Sequence, residues 1–267
     1  MFCRHEVVCQ NNQNKRVGKM GSIERISILG VPVDVVPKLE LEGKIVELLE
    51  KDGVKQIMFL NVWDLLKARR NSQYSECLRN ADLIIPVSKS ILFGARFLKK
   101  RIPVRYNPFD ATISILSVLE SRFKTLYLLG GRKKALMAAE KNVRSTFKGL
   151  QLVGRYVGFY KKTSEDGLIE AVYKASPSLV LLSDGIRKKD CWVYSRRNRF
   201  NSSIFLYYRD IVGIFSKRVK RISDRTFEKG LEIWGEILRN PLKLFLIFPY
   251  MWYIILLVCT RLFDKDN

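Results

Sequence analysis

Short apolar runs, each followed by an amphipathic helical pattern, recur along most of this 267-residue chain. The strand patterns are Ile26–Val31, Gln56–Leu60, Asp82–Ile85, Thr125–Leu129, Leu150–Val157, Leu179–Leu182 and Ser203–Tyr208. The helical patterns are Lys38–Lys51, Val62–Arg70, Ser90–Lys99, Asp110–Arg122, Lys133–Phe147 and Glu165–Ala175. Repeated β-α units of this kind predict an α/β fold with a Rossmann-like, mostly parallel sheet flanked by helices.

The two ends of the chain differ from this pattern. Residues 1–22 are polar, and we expect a disordered segment without a signal peptide. Residues 23–222 form the predicted α/β domain, and residues 223–267 form a C-terminal helical appendage. Asp224 can cap its first helix, which carries Phe227, Leu231, Trp234 and Leu238 toward one side. Within the appendage, residues 244–259 carry no charge and include Trp252 and Tyr253.

Sixteen uncharged residues are fewer than the roughly 20 that a spanning helix usually needs, and aromatic residues favour the membrane interface. A helix on the membrane surface is therefore the preferred interpretation. A buried contact between subunits and a true membrane span are the alternatives.

The charge of the chain indicates an anionic partner. Lys and Arg number 48 against 26 Asp and Glu, a net charge of +22. Between Arg187 and Arg225 twelve cations face only three acids. Nucleic acid, an acidic membrane surface or a phosphorylated substrate would suit such a surface.

The cysteine and histidine content excludes several kinds of chemistry. Five scattered cysteines without a CxxC pair argue against a disulfide framework or a zinc site and favour a reducing cytoplasm. The single histidine, His5, leaves no basis for a Ser-His pair, a Cys-His pair or a histidine-rich metal site.

The stretch Leu179–Val193 contains the strongest local signal for a ligand. Its apolar strand stops at Ser183-Asp184-Gly185, and Arg187, Lys188 and Lys189 follow at once. In parallel α/β sheets ligands collect beyond the carboxyl ends of strands, so these cations suggest a phosphorylated ligand. A solvated helix start is the alternative.

Several segments in order resemble the WecG/TagA/CpsF family of bacterial glycosyltransferases, glycosyltransferase family 26. The similar stretches, over roughly Ile26 to Leu244, are ILGVPVD (28–34), NADLIIP (80–86), LYLLGGR (126–132), VGFY (157–160), LVLLSDGIRKKDCW (179–192), SKRVKR (216–221) and GLEIWGEILRNPLKL (230–244).

The resemblance implies an inverting, metal-independent transfer of an N-acetylmannosamine-type hexose from a UDP-sugar. The implied acceptor is a polyprenyl-diphosphate-linked sugar at the inner face of the cell membrane, in surface polysaccharide or teichoic acid synthesis. It implies no cofactor beyond the donor and a homo-oligomer, and we expect no nucleic-acid partner.

The resemblance also suggests roles for individual residues. Asp110 and Asp184 are the catalytic candidates, with helix capping and a turn as their respective alternatives. Candidates for substrate binding are Asn61, Gly130, Gly131, Arg132, Gly185, Arg187, Lys188 and Lys189. Closing a strand-to-helix turn is the alternative for Asn61, and a tight strand-to-helix connection is the alternative for Gly130 and Gly131. Candidates for lipid contact are Lys217, Arg218, Lys220, Arg221, Trp252 and Tyr253, and the four cations among them could instead reach the active site. Asp34 is assigned to a structural turn.

Departures from the family pattern concern the chemistry. Val87 stands where the family usually has an aspartate thought to act as general base, and a valine cannot accept a proton. Lys189 replaces a usual Gln, and only Asn61 and Asp110 remain of two other family motifs. These losses favour an alternative function, an inactive scaffold or regulator of a polysaccharide assembly complex. Nucleic-acid binding through residues 187–225 is a third hypothesis, although no recognised motif supports it.

Overall fold

The computed structural model describes residues 23–230, 245 and 247–263. Its strands are β1 (Glu24–Ile28), β2 (Val31–Val35), β3 (Val54–Leu60), β4 (Leu83–Pro86), β5 (Thr125–Leu129), β6 (Gln151–Tyr156), β7 (Leu179–Leu182) and β8 (Ser203–Tyr207). The α-helices are α1 (Leu41–Glu50), α2 (Val62–Arg70), α3 (Ser72–Arg79), α4 (Lys89–Phe97), α5 (Pro108–Ser121), α6 (Lys133–Thr146), α7 (Glu165–Ala175), α8 (Asp190–Tyr194), α9 (Ile211–Phe215), α10 (Asp224–Lys229) and α11 (Ile247–Phe263).

Six strands form one sheet in the order β4-β3-β8-β7-β5-β6, and every neighbouring pair is parallel. The edge strand β4 and the central strand β7 are both buried along their whole length, because other elements cover both faces of the sheet. Since all six strands point the same way, their C-terminal ends meet at one side of the sheet, here called the carboxyl edge. The predicted α/β fold is confirmed.

Two sets of elements cover the two faces of this sheet. Helices α1, α5, α6 and α9 pack on one face. On the other face the β1–β2 hairpin, α2, α3, α4 and α11 cover the β3–β4 side, and α7 and α8 cover the rest. The resulting three layers leave the loops at the carboxyl edge to form a site.

The first predicted strand, Ile26–Val31, is wrong as a member of the parallel sheet. The chain instead turns back at Leu29 and Gly30, both with positive φ, and β1 pairs with β2 in an antiparallel hairpin. Asp34 lies on β2 rather than in a turn. It accepts hydrogen bonds from Arg25 (Nε to Oδ1, 2.6 Å) and from the backbone N–H of Ile84 (2.7 Å). Asp34 thus ties the hairpin to β4, so its role is structural, but the predicted turn is wrong.

Two predicted helix caps fall on neighbouring residues. Asn107, and not Asp110, caps α5 by accepting a hydrogen bond from Phe109 N–H. Ser223, and not Asp224, caps α10, accepting one from Thr226 N–H. Apart from Phe227, the apolar positions predicted for a helix after Asp224 (Leu231, Trp234 and Leu238) lie outside the described residues.

Candidate active site at the carboxyl edge

The turns after β5 and β7 lock together at the carboxyl edge. Gly131 N–H donates to Asp184 O (2.9 Å), and Asp184 N–H donates to Arg209 O (3.0 Å). The turn after β6 joins them through Gly158 N–H, which donates to Gly131 O (2.8 Å). The structure therefore brings Gly130, Gly131, Asp184 and Gly185 together in one backbone cluster.

Glycine is required in this cluster because the loops approach so closely. A Cβ on Gly130 would lie 2.9 Å from Asp184 O, and one on Gly185 would lie 2.6 Å from Phe159 N. Gly130 and Gly185 also have φ of +122° and +81°, which L-residues rarely adopt. The packing of the loops thus accounts for the glycines, and their contact with a nucleotide stays a prediction.

Four exposed cations border this cluster. Arg132 directly precedes α6, and Arg187, Lys188 and Lys189 fill the connection from β7 to α8. Lys188 and Lys189 have φ of +56° and +47° in succession, an uncommon backbone for non-glycine residues that clusters at functional sites. Asp184 lies beside these cations, half-buried under the turn after β8.

At the end of β3 the Asn61 side chain caps α2. Its Oδ1 accepts hydrogen bonds from the backbone N–H groups of Trp63 (2.8 Å) and Asp64 (2.9 Å). This is the turn-closing role that was one of its two interpretations. Asn61 still lies at the carboxyl edge, so a further contact of its amide with a sugar remains a prediction.

The C-terminal strap, residues 216–230, folds over the end of β4. Arg105 fastens it there. Its Nε donates to Val87 O (2.9 Å), its Nη1 donates to Phe227 O (2.6 Å), and the guanidinium lies 3.7 Å from the centroid of the Phe227 ring. Sequence reasoning missed Arg105, because only the fold brings it to a residue 122 positions away.

Asp110 lies in the first turn of α5, beside the strap, with its side chain 53% exposed. Its carboxylate is 3.7 Å from Arg221 Nη1, and Arg221 Nη2 is 4.0 Å from Asp224. Partial burial and the nearby Asp224 carboxylate raise the pKa of Asp110, while Arg221 opposes that shift. The strap thus brings one of its predicted cations, Arg221, next to a predicted catalytic acid.

Lys217, Arg218 and Lys220 lie on the same strap and are exposed. No ion pair is recorded for these three among the residues that the structure describes. Their positions leave them free to meet anionic groups, but lipid contact is not tested by the fold.

The apolar helix α11 packs on α2 and α4. Tyr253 is fully buried there, and its hydroxyl donates to Ser90 O (2.7 Å). The assignment of Tyr253 to lipid contact is therefore wrong, since the side chain anchors α11 to the domain. Trp252 lies on the opposite, exposed face together with Phe248, Met251, Ile255 and Leu262.

Within the described part of the chain, no helix is both long and apolar enough to cross a membrane. The same residues contain no cluster of three or more His, Cys, Asp or Glu side chains suited to a metal ion.

Comparison with known proteins gives a consistent result. The family described as glycosyl transferase WecG/TagA/CpsF matches residues 26–267. A relative from Bacillus spizizenii, named N-acetylglucosaminyldiphosphoundecaprenol N-acetyl-beta-D-mannosaminyltransferase, is 22% identical over 66% of this chain and 68% of its own length. Relatives of the same name from Bacillus subtilis and Staphylococcus aureus are 19% and 16% identical, over 73% and 77% of this chain and 78% and 81% of their own lengths.

Proposed function

We propose a specific transfer reaction for this chain, which belongs to the WecG/TagA/CpsF family of glycosyl transferases. The donor is a UDP-linked N-acetylmannosamine or a related hexose. The acceptor is a sugar carried on polyprenyl diphosphate, consistent with the names of the relatives. The transfer inverts the anomeric centre and needs no metal ion.

The observation that carries this proposal is the group of exposed cations beside the interlocked turns of β5 and β7. Arg187, Lys188 and Lys189 lie beyond the C-terminal end of β7, where ligands of parallel α/β sheets bind. As the bond to the sugar breaks, negative charge develops on the leaving UDP. Fixed cations at that point stabilise the transition state more than the ground state.

Inversion in one step requires a group that takes the proton from the acceptor hydroxyl. Asp110 is the carboxylate that we assign to this role. The hydroxyl oxygen attacks the anomeric carbon, the bond to the diphosphate breaks, and the proton passes to Asp110. A raised pKa suits a base that must take up a proton near neutral pH. Arg221 positions the carboxylate from the strap.

We further propose that the enzyme works on the inner membrane surface. The apolar face of α11 would enter the interface, and the exposed Lys99 and Lys100, which follow the neighbouring helix α4, would meet anionic headgroups. A surface position brings the carboxyl edge to an acceptor that cannot leave the lipid.

The alternative is a family member that binds a nucleotide sugar without turning it over and scaffolds an assembly complex. Val87 favours it, because the end of β4 offers an apolar side chain and a backbone carbonyl already occupied by Arg105. Asp110 must then serve only as the partner of Arg221.

Turnover of UDP-N-acetylmannosamine with a short-chain N-acetylglucosaminyl diphospholipid tests the proposal. We expect transfer by the purified protein, unchanged by EDTA. Asp110→Asn should lower kcat by about 10²–10⁴-fold with little change in UDP affinity. Asp166→Asn, an exposed acid in the first turn of α7, is the matched control and should keep full activity.

Two results would count against this assignment. An Asp110→Asn variant with normal kcat removes Asp110 from the reaction. A wild-type protein that binds the UDP-sugar but never transfers it supports the scaffold alternative.

A further inference from the structure

Two buried polar atoms at the end of β4 have no hydrogen-bond partner among the described residues. They are Ser88 Oγ and Asn107 Nδ2. Most buried polar groups in folded proteins are paired, because an unpaired one loses its hydrogen bonds to water without replacement. Two such atoms in one part of the fold therefore call for a physical reason.

The fold places these two residues side by side. Ser88 directly precedes α4, and Asn107 directly precedes α5. Their segments are joined where Tyr106 N–H donates to Pro86 O (3.1 Å) and where Arg105 Nε donates to Val87 O (2.9 Å). The two residues thus follow neighbouring, hydrogen-bonded segments at the carboxyl edge.

The side-chain amide oxygen of Asn107 has a hydrogen-bond partner, and its amide nitrogen has none among the described residues. The residue is only 7% exposed, and its Oδ1 accepts the capping hydrogen bond from Phe109 N–H (3.1 Å). Nδ2 can only donate, so its missing partner must be an acceptor. Ser88 makes no side-chain capping bond, and its hydroxyl can donate or accept.

Among the described residues, the part of the strap that contacts Arg105 makes few buried contacts. Helix α10 has no buried residue, and it meets the turn through the contacts of Phe227 with Arg105 and through Gly230 against the Lys89 side chain. A short element with few buried apolar contacts opens at low free-energy cost. Opening would break the bond from Arg105 to Phe227 O, and the same Arg105 side chain also holds Val87 O next to Ser88.

We propose that Ser88 Oγ and Asn107 Nδ2 form a sugar-binding subsite that α10 covers when no ligand is bound. The inference rests on the proposed function, because it names the part of the substrate that this site holds. The ligand atom at Asn107 is a hydroxyl or acetamido oxygen of an N-acetylhexosamine, and a second hydroxyl pairs with Ser88. The donor sugar and the acceptor sugar both offer this chemistry.

Variants of Ser88 and Asn107 with nearly the same shape distinguish a ligand-binding site from a packing defect, because only a binding site changes ligand affinity. Ser88→Ala removes the unpaired hydroxyl and should raise Tm by about 2–4 °C. It should also weaken binding of one N-acetylhexosamine ligand about tenfold, equal to about 1.4 kcal/mol. Asn107→Asp keeps the capping oxygen, loses the donor and should weaken the same ligand at least as much.

Tyr74→Phe provides the matched control. The Tyr74 hydroxyl is the third buried side-chain oxygen or nitrogen without a partner in the described residues, and Tyr74 packs in the core cluster of α2 and α3. The hydroxyl opposes the rise in the pKa of the nearby Asp64 carboxyl, so this control concerns ligand binding alone, and its removal should leave every ligand affinity unchanged.

Calorimetric titration of the full chain with three probes completes the experiment. The probes are UDP, UDP-N-acetylmannosamine and a farnesyl-diphosphate-linked N-acetylglucosamine. Wild type and all variants should bind UDP with equal affinity. If the Ser88 and Asn107 variants lose affinity for UDP-N-acetylmannosamine alone, the subsite binds the donor sugar. If they lose affinity for the farnesyl-linked N-acetylglucosamine alone, the subsite binds the acceptor.

The outcomes of binding and turnover are distinguishable. Equal affinities of wild type, Ser88→Ala and Asn107→Asp for both sugar ligands overturn the subsite, even if the wild type is an active transferase. A selective loss of sugar affinity in a protein without turnover sustains the subsite and overturns the proposed reaction. A wild type that binds neither sugar ligand overturns both.

Discussion

Gly158 shows how single residues build the candidate site. Its N–H donates to Gly131 O, and a Cβ at this position would lie 2.5 Å from Asp184 O and 2.9 Å from Gly131 N. These are backbone atoms of two other loops, so the neighbours cannot rotate away as a side chain would. The absence of a side chain at position 158 is therefore a condition for the turns after β5, β6 and β7 to meet.

Gly158→Ala should push these turns apart. We expect a loss of about 1–3 kcal/mol in the free energy of unfolding and weaker UDP binding, since overpacking of a closely packed region costs about that much. Chemical denaturation and calorimetry measure the two effects.

Gly167→Ala is the control for that change. Gly167 lies on α7, where an added Cβ meets no atom within 4 Å. Alanine there should stabilise the protein by roughly 0.5–1 kcal/mol through helix propensity and leave UDP binding unchanged. Normal UDP binding by Gly158→Ala would show that the packing of these turns does not shape the site.

At the scale of elements, α11 divides its apolar residues between two tasks. Tyr253 and Leu257 are buried against α2 and α4, and Arg261 lies 4.7 Å from the Phe97 ring centroid. Phe248, Met251, Trp252, Ile255 and Leu262 are exposed on the other face. Side chains of one helix thus serve both the domain and the proposed membrane contact.

Trp252→Ala should weaken co-sedimentation with anionic liposomes about five- to thirtyfold, because the interface would lose roughly 1–2 kcal/mol of apolar burial. Tyr253→Phe removes only the buried hydroxyl and its hydrogen bond to Ser90 O. This variant should therefore be less stable than wild type but bind liposomes equally well. Equal binding of wild type and Trp252→Ala would exclude this face from the membrane contact.

Neighbouring helices also show where local pattern is an incomplete guide. The bounds of α2, α7, β5 and β7 agree with the predicted bounds, because each has a clear apolar period and a defined stop. Helix α3 was not predicted. Asn71 is the last residue of the α2 boundary and also the N-cap of α3, where it accepts a hydrogen bond from Tyr74 N–H. The two helices follow each other without a loop, so the sequence shows no separate start for α3.

At the scale of the whole molecule, the packing of α8 against β3 and α3 buries an acidic side chain, Asp190. Burial, followed by the nearby Asp64 carboxylate and the Cys191 thiol, raises the pKa of Asp190 to about 7 from its ordinary value near 3.8, while Lys67 opposes the shift. The folded protein therefore holds a proton that the unfolded chain releases at lower pH.

A raised pKa of this kind makes stability depend on pH. The stabilising contribution is complete below about pH 4 and is lost as pH rises through about 7, because the folded state then must hold a buried charge. At pH 8 the free energy of unfolding of Asp190→Asn should therefore exceed that of wild type by at least about 1 kcal/mol, or about 2–4 °C in Tm. At pH 4 the two proteins should be equally stable.

Thermal scans between pH 4 and pH 8 provide the measurement. Asp166→Asn, on the exposed start of α7, should follow wild type across the range. A constant difference between Asp190→Asn and wild type would show that Asp190 does not titrate in this window.

The order of apolar and polar residues by itself determined the α/β fold, the parallel strands and the cationic end of β7. Those features depend on local periodicity and on charges close in sequence, which any window of the chain contains. Only the tertiary structure decided that Arg105 meets Phe227, that Tyr253 is buried, and that Ser88 and Asn107 share one corner. Such meetings join residues far apart in the chain, and the packing of whole elements determines them.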